Sequence, residues 1–198
     1  GLDKKECGIH FDFNGAIAKP MPAAELTLFK DGAFIADPFH RAWAEGDDAA
    51  SARYTHIPLP VFLANREAVL ANPHPLGLLV APGDRVEDVA ADLGRFASVA
   101  ILFPAFTDGR GYTSARLLSE RYDYRGEVRA IGDVLADQVP LMLRCGINAF
   151  VVSNGPTRLA LENGALASVD IFYQPIGTTE VPVGTRPFLR RALQKETA

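Results

Sequence analysis

The residues best suited to chemistry in this sequence lie in one stretch, Asp108-Gly109-Arg110-Gly111-Tyr112, between an apolar run and a pattern typical of a helix. The two glycines allow the backbone to turn and to approach a ligand closely. Arg110 carries a forked donor suited to carboxylate, sulfate or phosphate, and the first N–H groups of a helix bear partial positive charge. This stretch, called the glycine-arginine loop below, predicts a small-anion site formed by Gly109, Arg110, Gly111 and Tyr112.

Two carboxylates are candidates for acid/base chemistry at such a site. Asp108 stands next to the anion donors and could orient Arg110 or exchange a proton with a ligand. Asp133 follows a strand pattern whose period of two places it on the same face as Arg129, so Arg129 is a further predicted anion ligand. A structural alternative stays open for each. Asp108 would pair with Arg110 in a surface turn, or Asp133 would cap the next helix with Arg129 as its ion-pair partner.

Other polar residues carry weaker indications. Ser153-Asn154-Gly155 follows another apolar run, and we interpret it as an ordinary loop and helix cap. The four histidines show no paired ligand spacing, which argues against a metal site. Cys145 precedes Gly146 at a predicted helix end, where the helix dipole disfavours a thiolate, so a buried structural cysteine is expected. No dinucleotide or Walker pattern occurs, and the residues assign no cofactor.

Composition and charge narrow the class of protein. The chain has 198 residues, 48% of them hydrophobic and 22% charged, which is enough to bury one sizeable core. The formal net charge of −4 offers no positive field, so no nucleic acid or anionic membrane is expected as a partner. No apolar run approaches the roughly 20 residues that span a bilayer. Two distant cysteines fit a cytoplasmic location.

The elements that must position the candidate site follow from hydrophobic periodicity. Downstream of Ile57, short apolar runs alternate with segments of helical period, and 99–103 and 149–152 are apolar at every position. Strands of that kind are covered on both faces, as in parallel sheets with helical connections. The sequence predicts an α/β fold with a mostly parallel sheet of about five βα units, either an open sheet or a partial TIM-like barrel. The carboxyl ends of its strands would gather the candidate loops.

The remaining segments are assigned around this sheet. Asp31-Gly32 between two apolar runs predicts a β-hairpin at the start of the domain. Pro140 predicts a kink or a late start of its helix. We expect an N-terminal extension over residues 1–25, a single α/β domain over 26–175, and a linker with a basic tail over 176–198.

One long joint pattern resembles a known family. The stretch from Phe103 to Phe150, with FTDGRGY, then RA-GDVL-DQ, then RCG, is similar to the signature segment of bacterial domain-of-unknown-function family 934, often labelled probable oxidoreductase. The similarity spans about residues 26 to 175. It implies a context beside genes for sulfite reduction and sulfate assimilation, with a biochemical activity that is not settled.

Three hypotheses on function stay open at this point, and the sequence leaves open whether the protein is an enzyme. The first is an accessory protein of assimilatory sulfate and sulfite metabolism that binds a small oxyanion at the glycine-arginine loop. The second is a non-enzymatic partner or assembly factor of sulfite reductase that uses the hairpin, the extension and the basic tail as contacts. The third is an oxidoreductase that binds a flavin or nucleotide phosphate. A homo-oligomer is compatible with each.

Overall fold

The computed structural model describes residues 27–39, 41–105 and 108–164, together with five short strands outside these ranges. Most of the expected extension and of the expected linker and tail lies outside the described residues. In the described part of the chain, no helix has the length and apolar character to cross a membrane.

The strands fall into one large sheet and two small ones. In chain order they are β1 (Cys7–Gly8), β2 (Met21–Pro22), β3 (Thr27–Lys30), β4 (Ala33–Ala36), β5 (Arg41–Ala42), β6 (Thr55–Pro58), β7 (Gly77–Val80), β8 (Ser98–Phe103), β9 (Glu127–Gly132), β10 (Ala149–Val151), β11 (Ile171–Phe172), β12 (Glu180–Pro182) and β13 (Arg190–Ala192).

Helical segments follow each of the strands β6 to β10. They are α1 (Leu59–Ala64), α2 (Arg66–Ala71), a 3₁₀ helix (Val86–Arg95), α3 (Arg110–Arg116) continued by a π-helical segment (Leu117–Arg121), α4 (Val139–Arg144) and α5 (Gly155–Glu162).

The large sheet has eight strands in the order β4-β3-β10-β9-β8-β7-β6-β5. The strands β5 to β10 are parallel and stand next to each other in chain order. The β3–β4 hairpin joins the free side of β10 in antiparallel orientation, with its turn at Asp31 and Gly32. The predicted α/β class, the mostly parallel sheet and the hairpin are therefore confirmed.

The connection between the two edge strands shows that this sheet is curled. Strand β4 ends at Ala36 and β5 begins at Arg41, so the chain between the edges reaches at most about 18 Å. Eight flat strands would separate the edges by roughly 33 Å, because neighbouring strands lie about 4.8 Å apart. The sheet is open in its hydrogen bonding but curled like a partial barrel. Residues 37–39 cross its inner face, where they contact Arg129 and His56.

The two faces of the sheet carry separate apolar clusters. The outer face packs against the helices, with Ile101 and Phe103 of β8 in the same cluster as Ala115 and Met142. The inner face carries a small cluster around Ala100 and its neighbours Leu79 and Leu102. All six residues of β8 are buried, which confirms that this strand is covered on both faces.

Candidate functional site

The carboxyl ends of the parallel strands bring three loops together at one edge of the sheet. Gly83 lies in the loop after β7, the glycine-arginine loop follows β8, and Asp133 follows β9. Arg110 lies near the loop after β7, since a Cβ placed on Gly83 would be 4.0 Å from its Nη1 atom. The amide of Asp133 donates to the carbonyl oxygen of Phe103 at 2.7 Å. The structure thus brings the predicted site residues together at this edge, with the exception of Arg129.

Asp108 and Arg110 are bonded to each other. Nε of Arg110 donates to Oδ1 of Asp108 at 3.0 Å, Nη2 donates to Oδ2 at 2.7 Å, and the amide of Arg110 donates to Oδ1 at 3.1 Å. The Arg110 side chain is 64% exposed. Its hydrogen bonds lower the pKa of Asp108, so this carboxyl is ionised at neutral pH and holds no proton to donate. The carboxylate occupies the donors that the predicted anion would use first.

Gly111 and Tyr112 contribute to packing. A Cβ on Gly111 would lie 2.7 Å from ring atoms of Phe103, so the glycine lets α3 approach β8 closely. The ring of Tyr112 meets the ring of Phe103 edge to face at 5.2 Å. The amide of Tyr112 donates to the carbonyl oxygen of Gly109 at 3.3 Å. Burial raises the pKa of Tyr112, which makes its phenol a poor proton donor.

Asp133 does not stand where the strand pattern places it. Strand β9 ends at Gly132, whose φ of +97° turns the backbone. The alternation of faces stops there, so it does not extend from Arg129 to Asp133. The alternative that Asp133 caps the next helix is wrong, because α4 begins only at Val139. Pro140 in its first turn explains this late start, as predicted.

Arg129 lies on the inner face of the curled sheet and is 1% exposed. Its Nη1 donates to both carboxylate oxygens of Asp37, at 2.9 and 2.8 Å, and its Nε donates to Oε1 of Glu127 at 2.8 Å. Nη2 is bonded to the same oxygen of Glu127. Nζ of Lys30 pairs with Oε2 of Glu127 at 3.0 Å. We call Lys30, Asp37, Glu127 and Arg129 the buried ion cluster; Lys30 lies at its rim, with a side chain that is 33% exposed. Arg129 is bound within it, away from the glycine-arginine loop.

Two further polar side chains extend this cluster across the inner face. Oγ of Ser98 donates to Oε1 of Glu127 at 3.1 Å and lies 3.1 Å from Nε2 of His56. A carboxylate only accepts, so the Ser98 hydrogen is used there and Nε2–H of His56 donates to Ser98. The ring of Phe39 packs on His56 at 4.9 Å and under the Arg129 guanidinium at 5.4 Å. Burial, and secondarily the charge of Arg129, lower the pKa of His56 well below its usual range.

Most of these inner-face residues were not singled out from the sequence. The sequence could have indicated Glu127, because the period of two that was applied to Arg129 also places Glu127 on that face of the strand. Asp37 has none, since it stands 92 residues from Arg129 along the chain. His56 and Ser98 are polar residues at the starts of apolar strands, a pattern that by itself indicates no contact.

The remaining candidates have structural roles. Oδ1 of Asn154 accepts from the amide of Thr157 at 3.0 Å, which confirms the predicted helix cap. Cys145 is 2% exposed, as predicted, and burial raises the pKa of its thiol. Within the ranges that the structure describes, no three His, Cys, Asp or Glu side chains come together as a metal site.

The match to a protein family covers the carboxyl ends of β7 to β10 but not the hairpin. Residues 77–184 match the model of a bacterial protein of unknown function, DUF934. The match begins at β7, so it includes the glycine-arginine loop and Arg129 and excludes Asp37 and His56. No curated protein matches the sequence significantly.

Proposed function

The chain belongs to the DUF934 family of bacterial proteins of unknown function, and from this premise we propose that it is an accessory protein of assimilatory sulfate and sulfite metabolism. Its role is to bind a protein partner, a subunit of sulfite reductase, through the outer edge of β4. The sequence resemblance described above supplies the metabolic context. The exposed edge of β4 is the observation that carries the binding role.

Strand β4 has the properties of a binding edge. It is the last strand on its side of the large sheet, and its four residues are uncharged. Ile35 is 43% exposed although it pairs with the buried Leu28. Natural edge strands are often protected by charges, prolines, bulges or short length, and β4, which is short with four residues, carries no charge or proline. An extended segment of a partner can add to such an edge through backbone hydrogen bonds.

The hairpin is anchored on both faces of the sheet, by aromatic contacts on the outer face and by ion pairs on the inner face. The Phe34 ring lies 5.1 Å from the Phe29 ring and 4.2 Å from the Arg158 guanidinium carbon. Lys30 and Asp37, on either side of β4, are bonded into the buried ion cluster. A preorganised edge loses little conformational entropy when a strand binds. The charged residues of the inner face support this positioning through their ion pairs.

We expect Ile35→Lys to weaken binding to a sulfite reductase subunit at least tenfold, because the charge would lie in the new strand pair. The measurement is the Kd from titration calorimetry with the purified subunit. Leu63→Lys is the matched control, since Leu63 is also 43% exposed but lies on α1. Equal loss in both variants, or no binding by the native chain, contradicts the proposal.

A second candidate function is small-anion binding at the glycine-arginine loop, with Asp133 as an acid/base group and the ionised Asp108 acting only as a base. One observation favours it. Asp108 uses Nε and Nη2 of Arg110, whereas Nη1 is turned toward Gly83 and the side chain is largely exposed. An oxyanion bound by Nη1 would lie between two loops at the edge where ligands of parallel sheets gather.

Titration with sulfite, sulfate and phosphate tests this second candidate. If it holds, the amide resonances of residues 109–112 and 83 shift at millimolar anion, and Arg110→Ala removes the shifts. Arg116→Ala is the control, since Arg116 is also exposed and paired, to Glu120. Shifts that survive Arg110→Ala contradict the anion site. The absorbance spectrum of the purified protein tests the flavin alternative in the same samples.

A further inference from the structure

The buried ion cluster connects parts of the chain that are far apart in sequence. Lys30 ends β3, Asp37 follows β4, and Glu127 and Arg129 belong to β9. The two pairs that join hairpin to sheet, Lys30 with Glu127 and Asp37 with Arg129, span 97 and 92 residues. These contacts fix both ends of β4, and with them the residues 37–39 that cross the inner face.

The charges of the cluster balance only while His56 is neutral. Lys30 and Arg129 supply two positive charges, and Asp37 and Glu127 supply two negative ones. His56 reaches Glu127 only through Ser98, so a proton on its ring would place a third positive charge beside Arg129 without a carboxylate in contact. His56 is only partly buried, so the cost of such a charge comes from repulsion by Arg129 and from the solvation lost where Phe39 and Gly77 cover the ring.

The surroundings of His56 leave little room to accommodate that charge. Phe39 packs on one side of the ring. On another side the ring lies against Gly77, where a Cβ would overlap it. The charged groups linked to His56 in the described part of the chain are Arg129, which lies close enough to affect its charge, and Glu127, Asp37 and Lys30, which are bonded in turn to Arg129 or to each other. Tyr54 packs edge to face against Phe39 at 5.9 Å.

We propose that the buried ion cluster, with His56 and Ser98, is an acid-sensitive attachment that holds the β3–β4 hairpin and residues 37–39 on the sheet and releases them when His56 gains a proton. In the released state the outer edge of β10 and the inner face of the sheet are accessible. This inference does not depend on a sulfite reductase partner or on an anion ligand.

The sign of the pH dependence follows from the direction of the shift. The pKa of His56 is lowered in the attached state and returns to about 6.5 when the ring is released. The attachment is therefore most stable above pH 6.5 and weakens as the pH falls below it. The pKa of Glu127 is also lowered: burial opposes the shift, and Arg129 and Lys30 outweigh burial. Its contribution is lost only below about pH 4.3, so it adds to the release at more acidic pH.

Hydrogen exchange of the full chain at pH 7.5 and 5.5 tests the proposal, with rates corrected for intrinsic exchange. If release of the hairpin takes up one proton, the equilibrium constant for its opening is about tenfold larger at pH 5.5 than at pH 7.5. We expect this increase for amides of β3 and β4 and not for those of β8. His56→Gln, which keeps a donor toward Ser98 but does not titrate, should abolish it. His74→Gln, at an exposed histidine, should retain it.

Three results would overturn the proposal: an equal rise in exchange for β8, which indicates global unfolding; no rise in the hairpin; or a full rise in His56→Gln. If that variant does not fold, the His56 ring resonances of the native chain decide. These resonances should remain those of neutral imidazole down to pH 5.5. If the His56 ring instead titrates near pH 6.5 while the hairpin amides stay protected from exchange, the mechanism is refuted.

Discussion

Replacement of Arg129 by methionine is expected to lower the free energy of unfolding by about 3–5 kcal/mol, the range measured when one partner of a buried ion pair is removed. The side chain is 1% exposed and satisfies both oxygens of Asp37 and one of Glu127. Methionine fills a similar volume but supplies no donor. Asp37 would be left buried without its guanidinium partner, and Glu127 would keep Lys30 and Ser98.

Urea denaturation followed by circular dichroism measures this loss. Arg125→Met is the control, because Arg125 is 82% exposed and its pair with Asp123 is at the surface, so a change below about 0.5 kcal/mol is expected there. A loss of stability in Arg129→Met as small as in the control would mean that water or rearrangement compensates the carboxylates, and the structural role given to the cluster would be wrong.

Alanine at Gly132 is expected to lower the free energy of unfolding by about 3 kcal/mol or more, which is the second large effect. Two costs combine at this residue. Its φ of +97° is a conformation that residues with a side chain rarely adopt. A Cβ would also overlap the carbonyl oxygen of Phe103, and that oxygen accepts the amide of Asp133. Because the overlapping atom belongs to the backbone, rotation of a side chain cannot relieve the contact.

Gly109→Ala is the matched control for this second prediction. Gly109 precedes α3 with φ of −79°, and no atom lies within 4 Å of a Cβ placed there. Alanine at a compatible glycine position leaves stability unchanged or raises it by up to about 1 kcal/mol, because it restricts the unfolded chain. The same denaturation measurement applies to both variants. Equal losses would show that the glycine-arginine loop is more constrained than its geometry indicates.

The fold was predictable where local patterns determine it. Apolar runs such as Val99 to Phe103 indicated strands covered on both faces, and Asp31-Gly32 indicated the hairpin, because both signals lie within a few residues. The curl of the sheet had no such signal. It follows from the short connection between Ala36 and Arg41, which became informative only once the strand order placed β4 and β5 at opposite edges.

The candidate site was predictable in position but not in its internal pairing. Asp108 and Asp133 do lie in loops at the carboxyl end of the sheet, and Arg110 begins α3 there, because parallel strands end together. Whether Arg110 faces a ligand or Asp108 depends on side-chain conformations that composition leaves equally plausible. For Arg129 the period of two predicted a shared face with Asp133, which fails because β9 ends at Gly132. The partners of Arg129 are Asp37 and Glu127, and the pairing with Asp37 has no local signature in the sequence.

The strand order has a consequence for the way this chain reaches its native state. The parallel strands pair with their neighbours in sequence, so each new strand closes only a short loop. The hairpin is the exception, because β3 pairs with β10. Lys30 lies opposite Ala149, which is near the end of the domain. Contacts between distant segments are slow to form. During synthesis the hairpin therefore emerges early and can dock only after β10 has been made, and its apolar strands are exposed in that interval.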